Sequence, residues 1–218
     1  MARNSRPGDV EGDLGRSAQK RRAVLDAATG VFLRSGYLGT NMDEIAALSG
    51  VSKQTVYKHF ASKEALFVEI VSSMTNATGD SVHNEAPRFS SGDDLAVYLA
   101  DYAYRQLVIV LTPRVMQLRR LVIGEVGRFP ELARVLYERG PKRAMGILAA
   151  MFEGFRAQGL LAFDDAMQAA THFNWLVMSD ALNQAMLLGD AAIPSPTELR
   201  RQAEAGVRVF MAAYGAGK

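Results

Sequence analysis

The stretch that most restricts what this chain can fold into is residues 40–63, TNMDEIAALSGVSKQTVYKHFASK. Thr40 stands at an N-cap position, and Asp43 and Glu44 fall in the first turn, where acidic charge complements the helix dipole. Ile45 and Leu48 share one helical face, and Gly50 can end the helix at positive φ without a Cβ penalty. Ser52 caps a second helix whose buried side is marked by Val56 and Phe60 at i, i+4. Ala46 is small where that helix must cross closely, and Val51 can plug the gap. A small residue, a glycine four on, an aliphatic next and another five beyond predict a helix-turn-helix.

Around its buried positions the second helix offers Lys53, Gln54, Thr55, Tyr57, Lys58 and His59 to solvent. Hydrogen-bond donors, cations and an aromatic hydroxyl are the mixture that meets phosphates and base edges in a major groove. A solvated face on an ordinary helical hairpin has the same composition, so the motif needs the rest of the chain beside it.

The segment IAALSGVSKQTVYKHFASKEALF resembles the DNA-binding part of the TetR/AcrR family of bacterial transcription regulators, and the preceding RRAVLDAATGVFLRSGYLGTNMDEIA is similar to the same family. The resemblance covers residues 17–70, about a quarter of the chain. Ser49 stands where alanine is usual, and Gln54 replaces the glycine many members carry, a change that bears on operator choice rather than fold. By motif position the resemblance implies Lys53, Gln54, Thr55 and Tyr57 at or near the bases. It implies phosphate contacts from Thr40, Ser52, Tyr57, Lys58, His59 and Lys63.

The 218 residues, 49% hydrophobic and 22% charged, suffice for a core and exclude a disordered chain. No cysteine is present, so no disulfide framework or thiolate chemistry is available. No apolar leader or span-length stretch is found, which places the expected location in the cytoplasm and away from membrane. Net charge is +2, yet residues 1–65 hold ten basic against seven acidic side chains, a basic head on a near-neutral remainder.

Residues 1–16 lack periodicity and read as a disordered tail, although Arg3 and Arg6 could enter a minor groove as an arm. Residues 17–65 form the expected three-helix DNA-binding domain, whose first helix, Ser17 to Ser35, packs through Leu25, Ala28 and Phe32 and stops at Gly36. A fourth helix starts at Ser62 and runs to about Thr78, and residues 79–93 read as a loop. Beyond it the pattern stays helical, giving an all-α chain with residues 66–218 as a ligand-binding and dimerisation domain, as the resemblance implies.

Within that domain Thr112-Pro113 opens one helix, and another runs from Pro130 to Gly159 with a kink expected at Pro141. Asp164 opens a helix that is apolar nearly all round, and Ser195-Pro196-Thr197-Glu198 is a capping box before the last. These two C-terminal helices resemble the pair from which the family builds its homodimer. The stripe Leu199, Ala203, Val207, Phe210 and Tyr214 is the expected interface. A pocket for a small hydrophobic ligand, also implied by the family, would draw on Tyr102, Met116, Arg119, Met151, Phe155, His172, Phe173, Trp175 and Met178. Arg105, Gln106, Gln117 and Asn174 are further polar groups within apolar stretches; the plain alternative is that all of these are core.

Catalysis lacks parts. The three histidines, His59, His83 and His172, have no second ligand at metal spacing, and no nucleophile elbow or phosphate-binding glycine loop precedes a helix. No metal or cofactor is expected. The expected function is a homodimeric regulator, most simply a repressor, released from a near-palindromic double-stranded operator by a small hydrophobic effector. Two rivals are a helical small-molecule-binding or enzyme-like protein using the hairpin as scaffold, and a nucleoid-type binder. The second would need a larger basic excess than three.

Overall fold

Caps, glycines and apolar spacing cut the chain into ten α-helices among residues 7–83, 89–90 and 94–217, the residues that the computed structural model describes. Helix α1 (Pro7–Gly39) bends at Gly36, whose φ of 70° favours glycine, so the expected stop is a kink. It begins at Pro7, not at the expected Ser17, and so takes in part of the stretch read as a tail. Proline suits a first helical position, where no amide donor is needed. Residues 1–6, with Arg3 and Arg6, lie outside the described residues.

Helices α2 (Met42–Ser49) and α3 (Lys53–His59) form the predicted pair. The α2 cap is Asn41, whose side chain accepts from the Asp43 amide at 2.8 Å. Thr40 is instead buried, its hydroxyl donating to the Gly36 carbonyl at 2.7 Å across the kink. Leu48, expected on the buried Ile45 face, is instead 60% exposed; the buried residues of α2 are Met42, Ile45 and Ala46. Gly50 takes φ 67° and Ser52 caps α3 through the Thr55 amide, both as read.

Helix α4 (Lys63–His83) extends past Thr78, so residues 79–83 are helix rather than loop. Then follow α5 (Leu95–Val110), α6 (Pro113–Gly124) and α7 (Pro130–Tyr137), a π-helical segment (Glu138–Lys142), α8 (Arg143–Ala157), α9 (Ala166–Leu188) and α10 (Pro196–Tyr214). The π segment lies at Pro141, whose missing N–H and bulky ring disturb the regular ladder. Asp165, one residue after the expected Asp164, caps α9. Two compact units divide between Val71 and Ser72, inside α4, rather than at the expected 65/66 boundary.

In the first unit Val24, Ala28, Val31, Phe32, Ile45, Val56, Phe60, Leu66 and Phe67 are all buried. Phe32 and Phe67 stack at 5.0 Å, and the Tyr37 hydroxyl donates to Glu64 at 2.8 Å. In the second unit α10 packs on α5 and α9, and α8 packs on α9, around Phe152, Phe173 and Phe210. The C-terminal end closes this unit through an isolated bridge between Leu161 and Gly215.

The expected interface stripe is spent inside the chain's own second unit. Leu199, Ala203, Val207 and Phe210 are buried, and Tyr214 is half-buried against Phe210 and His172. A stripe of this amphipathicity covers whichever apolar surface lies nearest, and α5 and α9 of the same chain supply it. Gly206 lets α10 approach α9 so closely that a Cβ there would stand 3.0 Å from the Leu176 carbonyl oxygen. Gly206→Val is expected to destabilise the second unit by about 1–3 kcal/mol through overpacking, measured by thermal or denaturant unfolding.

His83 Nδ1 lies 2.7 Å from the Tyr102 hydroxyl. Burial, helped by the Arg143 charge, lowers the imidazole pKa to about 4. The folded pKa being below the unfolded value, this histidine leaves stability unaffected above roughly pH 6.5 and erodes it as pH falls toward 4. His83→Gln should flatten that part of the stability–pH curve, as followed by melting across the same window.

Candidate nucleic-acid interface and cavity

Helix α3 is anchored from one side only. Val56 is fully buried and Phe60 nearly so, with the Arg21 guanidinium 5.1 Å from the Phe60 ring centroid and paired to Glu69 at 2.8 Å. The same 3.6-residue period that sinks Val56 turns Lys53, Gln54, Tyr57 and Lys58 outward, with Thr55 and His59 half-buried at the edges. Lys53 pairs with Asp43 of α2 at 2.8 Å, and that contact raises its pKa. Ser52 and Thr55 hydroxyls lie 2.9 Å apart. Lys58 makes no ion pair among the described residues, leaving its ammonium to solvent.

Two proposed phosphate contacts are placed differently from the others. Thr40 is buried with its hydroxyl engaged. Lys63 donates to the carbonyls of Thr40 at 2.7 Å and Leu38 at 3.3 Å, and its ammonium stands 4.8 Å from the Tyr37 ring centroid. Lys63 therefore neutralises the carbonyl end of α1, where the chain leaves the kink, in addition to any outward contact.

The second unit holds a cavity of about 80 Å³ between α4, α5, α6, the π segment and α9. Of the residues expected at a ligand site, Arg119, Trp175 and Met178 line it. Tyr102, Met151 and Phe155 line a different groove near Phe89 and Tyr98. Met116 and Phe173 are wholly buried core, and His172 is exposed, its Nδ1 2.5 Å from the Tyr214 hydroxyl. Gln117 is drawn off to Asp190 at 2.6 Å, beside the Arg120 guanidinium that holds the Asp190 pKa down.

The cavity wall also contains Thr75, Gly79, Arg139 and Arg143, which the sequence did not single out. Thr75 of α4 faces Gly140, and a Cβ added at Gly79 would stand 3.1 Å from the Arg143 guanidinium. Gln106 and Asn174, polar within apolar helices, meet there: the Gln106 amide donates to the Asn174 Oδ1 at 2.9 Å, with both residues buried. Their polarity at buried helical positions was the signal, and only the packing of α5 against α9 joins them. No helix of the described residues is long and apolar enough to cross a membrane, and no group of three or more metal-ligating side chains occurs among them.

Residues 24–70 match the family of bacterial regulatory proteins named for tetR, and residues 98–216, more than half the chain, match the AefR-like transcriptional repressor C-terminal domain. A crystal structure of a TetR-family regulator from Mesorhizobium loti is 38% identical, covering 92% of this chain and 98% of that one with a TM-score of 0.86. The flavonoid-responsive regulator FrrA is 33% identical over 92% of this chain and all of that one, with a TM-score of 0.75. The regulator RutR of Escherichia coli is 42% identical over 52 residues, and this match spans only about a quarter of that curated relative's length. Helix-turn-helix, helical second unit and both family matches agree: the chain belongs to the TetR family of DNA-binding transcriptional regulators and is not an enzyme.

Proposed function

We propose that the protein is a homodimeric, ligand-responsive repressor acting in the cytoplasm on a near-palindromic operator. The observation that carries this is α3: an apolar underside locked by Val56 and Phe60, and an outer face of Lys53, Gln54, Tyr57 and Lys58 with nothing of its own unit over it. Two such helices would enter successive major grooves, with half-sites about 34–36 Å apart or multiples of that. Lys53 reaches a base by leaving Asp43, and an exposed pair of that kind is easily exchanged for a DNA contact. The description of the matched C-terminal family as repressor-like supports repression over activation.

The effector would be a small, largely apolar molecule in the cavity bounded by α4 and the π segment. FrrA, by its name a flavonoid-responsive regulator, supports a ligand of this general character. Drug-sized ligands occupy roughly 300–1,000 Å³, so the ~80 Å³ here must widen on binding, and the Gly140-Pro141 wall is the least regular part of the lining. A ligand pressed against Thr75, Thr78 and Gly79 acts on the helix that also carries Lys63. Release from DNA then requires only that the ligand binds the non-operator conformation more tightly.

Dimerisation would use the outward faces of α9 and α10. Leu176, Leu187, Leu188 and Val209 are exposed there, at 37%, 74%, 71% and 52%. Leu187→Asp combined with Val209→Asp should yield a folded monomer by light scattering and a large loss of operator affinity. A stable dimer carrying both substitutions would move the interface elsewhere. Phe210→Asp tests the fold instead, since that ring is wholly buried.

Footprinting on DNA flanking the gene, repeated in the presence of candidate effectors, tests the reading as a whole. On the operator so defined, Gln54→Ala should relax base preference at one position, at a cost of ~1–3 kcal/mol if its contact is bidentate. Lys58→Ala should weaken specific and random DNA alike and reduce the slope of log affinity against log salt by about one. Anisotropy titrations at several salt concentrations separate the two; equal losses on operator and random DNA for Gln54→Ala would remove it from the bases.

A further inference from the structure

We infer that the cavity of the second unit selects an amphipathic anion: an apolar body carrying a carboxylate-type group that seats on Arg119 and a polar donor that meets Gln106. The inference rests on the ligand-responsive reading above and specifies the chemistry of its effector.

Three observations converge on it. First, the lining contains Arg119, Arg139 and Arg143, and no aspartate or glutamate. Arg143 is already answered by Asp80 at 2.7 Å. Arg119 has no hydrogen bond or ion pair among the described residues, although it lies half-buried among Val115, Leu118, Trp175 and Leu182. Asp180, which lines the adjoining groove, makes no ion pair with Arg119 and accepts from Gln184 at 2.8 Å. A guanidinium in an apolar wall without a counter-charge is costly, and desolvation does depress the Arg119 pKa. An anionic ligand group removes that cost and gains a charge-assisted, two-pronged contact.

Second, Gln106 is 97% hidden, lines the cavity and uses its amide N–H on Asn174, which leaves its Oε1 buried without a hydrogen-bond partner. Such an orphan acceptor is uncommon in folded proteins and is satisfied by a ligand hydroxyl or N–H. Third, everything between these two polar points is aliphatic, aromatic or thioether: Val110, Val115, Leu118, Trp175, Met178 and Leu182. Two polar stations set in an apolar wall fix the orientation of a ligand that is otherwise held by burial.

Trp175 is the single tryptophan of the chain and lines the cavity, so its emission reports occupancy directly. The full-length protein would be titrated at about pH 7.5, where a carboxyl is ionised, with decanoate, decanol and decyltrimethylammonium, which share one alkyl body. Decanoate is expected to bind at least about ten-fold more tightly than decanol, the yield of one charge-assisted contact, and the ammonium compound least. Arg119→Gln should bring decanoate down to the level of decanol on the same variant. Arg119→Lys should keep part of the preference, and an unaltered circular-dichroism melt shows that each variant is folded. Decanol equal to decanoate, or a preference that survives Arg119→Gln, overturns the anion assignment while leaving a ligand-responsive regulator intact. If none of the three alters Trp175 emission or DNA binding, both the anion assignment and the apolar-cavity reading fall.

Discussion

The burial of Val56 beneath α3 is the contact on which the DNA-binding unit depends. A helix of seven residues has no stability of its own in water, since nucleation costs more than so few hydrogen bonds return. Packing against α1 and α2 holds it, and packing on one side forces the polar side to the outside. Gly50 at φ 67° and the Ser52 cap set the angle at which α3 leaves α2. The kink at Gly36 performs a similar task upstream, with the Thr40 hydroxyl and the Lys63 ammonium taking up the carbonyls it frees.

Lys63 illustrates how one side chain ties several parts of the first unit together. Its ammonium closes the end of α1 and rests near the Tyr37 ring, and Tyr37 in turn holds Glu64. Losing this side chain therefore disturbs the unit as well as its charge, whereas Lys58 carries charge alone.

The second unit distributes its polar groups unevenly. Most are neutralised where the helices meet: Arg120 with Asp190, Arg143 with Asp80, Arg200 with Asp101. Gln106 and Arg119 stand apart because the groups beside them leave hydrogen-bonding capacity unused. Unmet capacity of this kind in an apolar wall is costly, and it gives the cavity a polarity that its mostly aliphatic lining would not predict. The π segment at Pro141 borders the same space, so the least regular backbone of the unit and its least satisfied side chains are neighbours.

The helix-turn-helix was legible from residues alone because each determinant is local: caps, a positive-φ glycine and an i, i+4 apolar pair act within a few residues of one another. Locality also marks the limits of that reading, since Thr40 and Asn41 are both able caps and only the Gly36 kink decided between them. Further along, α9 is apolar nearly all round, and α10 has one strong stripe; periodicity says that such faces are covered but not by which chain. Packing resolved it, turning Phe210 and its stripe onto α5 and α9 and leaving Leu187 and Val209 outside. The cavity belongs to tertiary structure for the same reason. Its polar stations lie on α5, α6 and α9, far apart in sequence, and no local pattern could say that Gln106 and Asn174 would meet while His172 and Gln117 turned away.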